Sequence, residues 1–414
     1  MELMGNFKQT ELGLIPENWE LKTFKDICFV NQGLQIPIEK RKKHPSLFSK
    51  VYITIEYLNK AKEVEYIEEF SPSVCCSEND ILMTRTGNTG IVITDVTGVF
   101  HNNFFKINYD KKIIIKEFLV YYLKQDKIKR IILNKAGTST IPDLNHKDFY
   151  SLPISLPPTK AEQSAIAKVL SDADAWIQSL TQLIAKKRQI KQGAMQALLT
   201  GKIRIPGFKN FKNHKKTAFG TIPDDWEIHT IGDFIEFQGG SQPNKNVFSL
   251  NKKEGYIRLI QIRDYKTDKY KTYIPYSLAR RFCDESDIMI GRYGPPVFQI
   301  LKGIKGAYNV ALIKAIPSGR VDKNYAYYYL KQEKLFSFIE KLSQRSSGQT
   351  GVDLKELKNY PLIIPPTINE QKSIASLLVS MDKEITELEI KLNKAKQIKQ
   401  GMMQNLLTGR IRLI

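Results

Sequence analysis

The sequence predicts a mixed α+β protein, in which two α/β domains related by a pseudo-twofold axis are separated by two long antiparallel helices that form a coiled coil. Three observations lead to this fold. The chain contains two copies of one sequence pattern. Each copy begins with short β-like runs and ends with a helical pattern of roughly forty residues after a Pro-Pro pair. Two copies of one fold in one chain imply a pseudo-twofold molecule.

The repeat is visible in two motifs. Residues 13–20 (GLIPENWE) return as 220–227 (GTIPDDWE), an offset of 207, and residues 156–163 (LPPTKAEQ) return as 364–371 (IPPTINEQ), an offset of 208. One residue is therefore gained between these markers. The simplest place is the small polar loop 137–140 or its counterpart.

Each copy begins with a globular part of mixed structure. Residues 51–55, 91–94 and 257–262 are rich in β-branched residues and predict strands, whereas residues 118–133 and 325–342 have helix-compatible apolar spacing. The Pro-Pro pair then ends any preceding helix, because proline fixes the backbone and restricts the residue before it.

A long helix follows in each copy, with apolar residues at steps of three or four. This period is typical of a coiled-coil seam, and roughly forty residues make a helix of about 60 Å. Two such helices related by a twofold axis would pack antiparallel, although each could instead lie on its own domain. The predicted seam contains Ile166, Val169, Ile177, Leu180 and Ile184, and Ile374, Leu377, Ile385, Leu388 and Leu392.

These patterns predict domain boundaries at the Pro-Pro pairs. The first globular domain covers 1–156, the first long helix 157–205, the second globular domain 206–363 and the second long helix 364–414. Each helix also contains the sequence QIKQG, whose glycine costs roughly 1 kcal/mol against alanine. Close approach of another backbone would explain that glycine in both copies, and so would a shared ancestral accident.

Composition limits the partners. The formal net charge is +20 and 42% of residues are hydrophobic, which favours nucleic acid, an anionic surface or an acidic protein as partner. No apolar run approaches 18 residues and the first 22 residues contain no signal core, so we expect a cytoplasmic protein that does not bind a membrane. The four cysteines lack metal-site spacing, and we expect reduced structural thiols and no metal.

The two copies agree in their frame and differ between the shared positions. Residues 34–79 and 241–286 have equal length and little identity, whereas the helical segments remain alike. Ordinary divergence after duplication would explain the differences between the copies, but not the likeness of their helical segments. A shared scaffold with two unlike surfaces is what two different targets would require.

At this point the order of motifs resembles a known family. The sequence IPxxWE, a variable domain, PPxxxEQ, a long helix and LLTGxIR, present twice, is similar to the DNA-specificity subunit of Type I restriction-modification systems. The resemblance implies two target-recognition domains, each of which binds one half of a split, asymmetric site in double-stranded DNA. It also implies that the long helices set the length of the spacer between the two halves. It also implies two methyltransferase (modification) subunits that bring S-adenosylmethionine, and restriction/translocase subunits that use ATP and Mg²⁺. No cofactor is expected on this chain.

No catalytic residue is predicted. There is no GxxxxGK[ST] phosphate loop, and no Pro-Pro pair has the flanking residues with which an amino-methyltransferase holds a flipped base. Pro223-Asp224 together with residues 264–266 (DYK) imitates a metal-dependent nuclease pattern, which such a composition produces by chance. A stand-alone nuclease or methyltransferase, a modification-only specificity subunit and a scaffold for acidic proteins remain alternative hypotheses.

The clearest candidate DNA contacts lie on one turn that both copies share. Arg85 and Arg292 follow β-like runs at matching positions and are candidate phosphate anchors, or alternatively supports of the turn. Their neighbours Thr86, Asn88 and Tyr293 differ between copies and could discriminate bases. Further candidates are the charged residues Lys40, Arg41, Lys42, Lys43, Lys252 and Lys253 and the small-loop residues Thr138, Ser139, Ser347 and Gln349.

Overall fold

The computed structural model describes residues 6–60, 63–137, 141–208, 213–345 and 351–413. It divides into two compact units, of which unit 1 is Met1–Thr181 with Ile390–Ile414, and unit 2 is Gln182–Glu389. Each unit holds one globular domain and one half of each long helix. The predicted boundaries divide the chain by sequence position and stay a prediction, whereas each compact unit combines a globular domain with parts of both long helices.

The globular part of unit 1 contains twelve strands among its described residues and five short helices. The strands are β1 (Phe7–Thr10), β2 (Gly13–Pro16), β3 (Glu20–Thr23), β4 (Cys28–Gln32), β5 (Lys50–Ile53), β6 (Tyr66–Ile67), β7 (Cys75–Cys76), β8 (Ile81–Thr84), β9 (Val92–Ile93), β10 (Gly98–Phe100), β11 (Phe104–Tyr109) and β12 (Pro153–Leu156). The helices are α1 (Phe24–Ile27), α2 (Ile55–Leu58), α3 (Lys116–Leu123), α4 (Asp126–Ala136) and α5 (His146–Tyr150). The long helix α6 (Lys160–Leu199) follows.

Unit 2 repeats this series. Its strands are β13 (His214–Thr217), β14 (Gly220–Pro223), β15 (Glu227–Thr230), β16 (Ile235–Gly239), β17 (Tyr256–Ile260), β18 (Tyr273–Pro275), β19 (Phe282–Cys283), β20 (Ile288–Gly291), β21 (Gln299–Leu301), β22 (Gly306–Tyr308), β23 (Leu312–Pro317) and β24 (Pro361–Ile364). Its helices are α7 (Ile231–Phe234), α8 (Lys323–Leu330), α9 (Glu333–Arg345), α10 (Leu354–Asn359) and the long α11 (Ile368–Leu406).

Both units use the same sheet topology. One four-stranded sheet has the order β4-β11-β8-β9 in unit 1 and β16-β23-β20-β21 in unit 2. The other has the order β6-β5-β10-β7 and β18-β17-β22-β19, with one parallel pair in each. The prediction of a mixed fold in two repeated copies with long helices is therefore confirmed. The regions with helix-compatible spacing, 118–133 and 325–342, each fall on two helices, which are separated at Gln125 in unit 1 and at Gln332 in unit 2.

The long helices run antiparallel within each unit. In unit 2 the Nζ of Lys187 lies 2.6 Å from Oε1 of Glu384, and the Nζ of Lys191 lies 2.5 Å from Oδ1 of Asp382. Each helix begins directly after the Thr that follows its Pro-Pro pair. The hydroxyl of Thr159 or Thr367 accepts a hydrogen bond from the backbone amide three residues further on. This is an ordinary N-cap.

The predicted seam is buried to different degrees. Ile166, Leu180, Ile184, Ile374 and Ile385 are buried, and Val169, Ile177, Leu388 and Leu392 are half-buried. Leu377 was wrongly assigned, because it is 40% exposed while its neighbour Leu378 is fully buried in the unit 2 core. The first turns of α11 pack on the globular domain, so the buried stripe there follows the 3.6-residue helical period.

The glycines inside the long helices have no backbone neighbour. A Cβ added at Gly193 or Gly401 would meet no atom within 4 Å among the described residues. The explanation by close approach within this chain is therefore wrong.

We expect Gly193→Ala and Gly401→Ala each to raise the free energy of unfolding by roughly 1 kcal/mol, since alanine is the better helix former. Chemical denaturation measures the change. Gly201→Ala is the control and should destabilise, because Gly201 has φ +70° and its Cβ would lie 2.4 Å from Cδ of Pro223. A loss of stability at Gly193 would contradict the open space seen there.

Candidate nucleic-acid interface

Arg85 holds the turn after β8 together. Its Nη2 donates to Oδ2 of Asp143 at 2.8 Å, and its Nε donates to the carbonyl of Leu144 at 3.3 Å. The guanidinium also lies 5.2 Å from the ring centre of Phe105, and its side chain is 14% exposed. Arg85 is thus engaged inside unit 1 with its charge compensated. This geometry matches the turn-supporting role that the sequence left open.

The neighbours of Arg85 differ in their exposure. The hydroxyl of Thr86 donates to Oδ1 of Asp143 at 2.5 Å, so Thr86 shares the same carboxylate. Asn88 is exposed, and its backbone carbonyl accepts the hydroxyl of Thr84 at 2.5 Å. Asn88 is therefore the candidate on this turn whose side chain lies most open to solvent.

The matching turn of unit 2 lacks the acid. Tyr293 pairs by a β-bridge with Gly351, as Thr86 pairs with Asp143 in unit 1. The guanidinium of Arg292 lies 5.2 Å from the ring centre of Tyr293, and no carboxylate among the described residues forms an ion pair with it. Residues 346–350 contain no acidic residue either. Arg292 therefore carries a charge that no acid on this turn compensates.

The basic residues of the variable parts have different environments. Arg41 donates to the carbonyl of Ile36 at 3.0 and 2.8 Å and to Glu65 at 3.0 Å, which makes it a structural residue. Lys40 lies 3.3 Å from a carboxylate oxygen of Glu69 on the surface. Exposed side chains belong to Lys42, Lys43, Lys252 and Lys253. Thr138, Ser139, Ser347 and Gln349 lie outside the described residues.

A polar triad that the sequence reasoning missed fixes the globular domain of unit 2 to both long helices. The hydroxyl of Tyr328 donates to Oδ2 of Asp382 at 2.7 Å, and Lys191 donates to Oδ1 at 2.5 Å. The Lys191 ammonium also lies 5.3 Å from the centre of the Tyr328 ring. Burial works against ionisation of Asp382, but the bonds from Lys191 and Tyr328 outweigh it and lower its pKa.

Unit 1 contains the same triad. Tyr121 donates to Oδ2 of Asp174 at 2.9 Å, and Lys399 donates to Oδ1 at 2.5 Å. In both units the tyrosine comes from the globular domain and the aspartate from the helix that follows it, and the lysine comes from the other repeat. The signal for it was present in the sequence, because all three residues recur at the repeat offset.

A buried ion pair joins the motif that begins one helix to the motif that ends the other. In unit 2, Arg204 donates to both carboxylate oxygens of Glu370 at 2.9 and 2.7 Å and to Asp225 at 3.0 Å. The side chains of Arg204 and Glu370 are 8% and 1% exposed. The Arg-carboxylate fork gives this contact its geometric specificity.

Unit 1 repeats the ion pair with Arg412, which contacts both carboxylate oxygens of Glu162 and Oδ1 of Asn18. The next residue of the motif, Gln163, accepts the amide of Ile115 and donates to the carbonyl of Ile113, both at 3.0 Å. The motifs PPxxxEQ and LLTGxIR therefore form one structural joint in each unit.

Three of the four cysteines have thiols whose pKa is strongly raised. Burial raises the pKa of Cys28 to about 12 and, as the largest cause, the pKa of Cys76 and Cys283 to about 11, so these thiols stay protonated at neutral pH. Among the described residues no group of His, Cys, Asp or Glu has the arrangement of a metal site. None of the described helices has the length and apolar character needed to span a membrane.

Comparison with known proteins covers nearly the whole chain. The family model described as Type I restriction modification DNA specificity domain matches residues 16–192 and 223–400. Two specificity subunits from Methanocaldococcus jannaschii are similar: that of type I restriction enzyme MjaVIII is 26% identical over 99% of this chain and 96% of its own length, and the putative MjaX subunit is 29% identical over 99% and 97%.

Solved structures share the fold. The S subunit of a Type I restriction-modification system from M. genitalium aligns with a TM-score of 0.58 and 17% identity, over 94% of this chain and 96% of that chain. A chain from a structure concerning complex assembly and conformational transition of the type I R-M system aligns with a TM-score of 0.59 and 16% identity, over 96% and 99%.

Proposed function

Because this chain belongs to the family of Type I restriction-modification DNA specificity domains, we propose that each of its units reads one half of a split, asymmetric site in double-stranded DNA. The chain is the specificity subunit of such a system. The observation that carries the proposal is one sheet topology in two units that differ on the matching turns, Asp143 in one and Gly351 in the other. A shared frame with different turns suits two different half-sites.

The paired helices, in this proposal, set the spacer between half-sites and bind two modification subunits. Those subunits hold S-adenosylmethionine, and restriction/translocase subunits that use ATP and Mg²⁺ join through the complex. This chain is non-catalytic and works in the cytoplasm, where its DNA is. The charge of +20 supports DNA as the partner, since phosphate contacts by Lys and Arg supply most of the non-specific affinity.

An exchange of domains tests the proposal. Replacing residues 20–150 with the equivalent part of another family member should change one half of the methylated sequence and leave the other half and the spacer unchanged. Methylation mapping of cells that carry the hybrid system reads out both halves. The reciprocal exchange of residues 227–358 is the matched control and should alter the opposite half. Hybrids in which both halves change together would contradict independent reading.

The two turn arginines should behave differently. We expect Arg292→Ala to weaken DNA binding, because its guanidinium lacks a compensating acid. If Arg292 contacts a phosphate, the variant loses the same DNA affinity on all sequences. The slope of log affinity against log salt concentration then becomes shallower by about 0.9.

Arg85→Ala should leave DNA affinity nearly unchanged and lower the stability of unit 1 by about 1–2 kcal/mol, through loss of the bond to Asp143 and the contact with Phe105. Titration of labelled duplex at several salt concentrations, together with thermal melts, separates the two effects. Equal loss of DNA affinity in both variants would contradict the distinction.

A further inference from the structure

The two globular domains carry very different charges. Residues 1–156 contain 21 Lys and Arg against 19 Asp and Glu, a net charge of +2, whereas residues 206–363 contain 26 against 16, a net charge of +10. Most of this difference lies in the variable segments of equal length. Residues 34–79 hold seven basic and seven acidic residues, and residues 241–286 hold ten and five. The electrostatic attraction to DNA phosphates is therefore unequal in the two units.

One loop of unit 2 brings cations next to the turn that both units share. Residues 261–272 connect β17 to β18. Ile262 of this loop packs beside Gly291, where an added Cβ would lie 3.3 Å from Cδ1 of Ile262. Gly291 directly precedes Arg292, so the loop and the turn belong to one surface of unit 2.

The cations of this loop are exposed and only partly compensated. Arg263, Lys266 and Lys269 all have exposed side chains. Oδ1 of Asp268 lies 3.1 Å from Nη2 of Arg258, which leaves this acid engaged inside the unit. No carboxylate among the described residues forms an ion pair with Lys266 or Lys269. Their charges are available to a polyanion.

Side-chain hydrogen bonds hold the loop in one shape. The backbone amide of Gln261 donates to Oδ2 of Asp264 at 3.2 Å, and the side chain of Asp264 is fully buried. The Nη2 of Arg263 donates to the carbonyl of Tyr270 and to the hydroxyl of Thr272, both at 3.2 Å. The loop therefore presents its cations without having to be ordered first, which lowers the entropic cost of binding.

An aromatic ring lies between two of the cations. Tyr270 is 50% exposed, and its ring centre lies 5.8 Å from the guanidinium of Arg263 and 5.4 Å from the ammonium of Lys269. These distances allow cation–π contacts that hold the charges next to the ring. An exposed ring among clustered Lys and Arg is typical of a surface that binds nucleic acid.

The matching loop of unit 1 has the opposite character. Residues 54–65 contain three Glu and two Lys, a net charge of −1, whereas residues 261–272 have a net charge of +2. On the neighbouring turn, Asp143 compensates the charge of Arg85. The same place in the fold is thus basic in unit 2 and slightly acidic in unit 1.

We propose that the two units divide DNA binding unequally. Unit 2 supplies most of the salt-dependent affinity, through residues 261–272 and Arg292, and unit 1 binds its half-site mainly through uncharged contacts. This rests on the proposed function, in which each unit reads one half of a split site.

Two truncated duplexes test the division. Each keeps the spacer and one half of the sequence found by methylation mapping, and the domain exchange assigns each half to its unit. At about 50 mM salt the full chain should bind the duplex with the unit 2 half about tenfold more tightly. Its slope of log affinity against log salt concentration should be steeper by about 2.7, because Lys266, Lys269 and Arg292 add three uncompensated charges at about 0.9 each. Equal affinities and equal slopes would overturn the proposal.

Neutralising the loop locates the effect. Lys266→Gln with Lys269→Gln should make the slope on the complete duplex shallower by about 1.8. The melting temperature should stay unchanged, because both side chains are exposed. Lys266→Arg with Lys269→Arg keeps the charges and should keep the wild-type slope. Lys216→Gln with Lys334→Gln removes two exposed lysines from β13 and α9 of the same unit and should change the slope by less than half as much.

These measurements separate the inference from the proposed function. An unchanged slope after neutralising Lys266 and Lys269, or an equal change after neutralising Lys216 and Lys334, would overturn the role of the loop. A wild type that still prefers the complete site over a scrambled duplex would leave the proposed function standing in either case. A wild type without that preference would overturn the proposed function itself.

Discussion

Arg204→Ala should destabilise unit 2 by about 3–5 kcal/mol, the range expected when one partner of a buried ion pair is removed. The loss leaves Glu370, whose side chain is 1% exposed, without the two bonds it accepts from the guanidinium. Asp225 loses its partner as well. Hydrogen exchange read by mass spectrometry follows the protection of unit 2 separately from that of unit 1.

Two variants establish the cause. Arg204→Lys keeps the charge but cannot form the two parallel bonds, so it should recover only part of the stability. Arg412→Ala removes the matching residue of unit 1, where the arginine side chain is 30% exposed, and its effect should be smaller and confined to unit 1. An Arg204→Ala protein with native protection in unit 2 would show that the buried pair contributes little.

The second large effect concerns Leu199, the last residue of α6, and Leu407, which directly follows the end of α11; each of these helices begins in the other unit. Both side chains are fully buried, Leu199 in the core of unit 2 and Leu407 in the core of unit 1. Replacing a buried leucine with alanine costs about 2–5 kcal/mol. Leu407→Ala should therefore destabilise the domain made by the first part of the chain, and Leu199→Ala the domain made by the second.

Hydrogen exchange of the two units in each variant provides the measurement. Ile398→Ala is a suitable control, because Ile398 lies on α11, the helix that Leu407 follows, and is 44% exposed. It should change protection by a few tenths of a kcal/mol. If Leu407→Ala weakened unit 2 and spared unit 1, the assignment of helix ends to units would be wrong.

The features that depend on local sequence patterns could be predicted from the sequence. The repeat register, the β-rich domains and the long helices were readable because apolar periodicity is local and was present twice. Leu377 shows the limit of that reading, since the pattern could not tell where a helix leaves its partner helix and packs on a domain. Side-chain direction at that junction is decided by tertiary packing.

The polar contacts were not predictable from one copy. Asp174 and Lys399 are far apart in the chain, and charged residues on a helix usually indicate a solvated face. Likewise the motifs containing Glu370 and Arg204 were visible as landmarks, but nothing local showed that they touch. Asp143 and Gly351 can be compared only because the structure shows that each forms a β-bridge to the matching turn of its unit.

The division of the chain between the units has a consequence for biosynthesis. Unit 2 is a single continuous segment, whereas unit 1 needs residues from 390 onward to complete its core. At about 5–20 residues per second, the ribosome needs roughly 10–40 s to make the segment that separates the two parts of unit 1. Throughout that time the nascent first domain exposes the apolar surface that Leu406 and Leu407 later cover. The domain that is translated first is thus the last to mature.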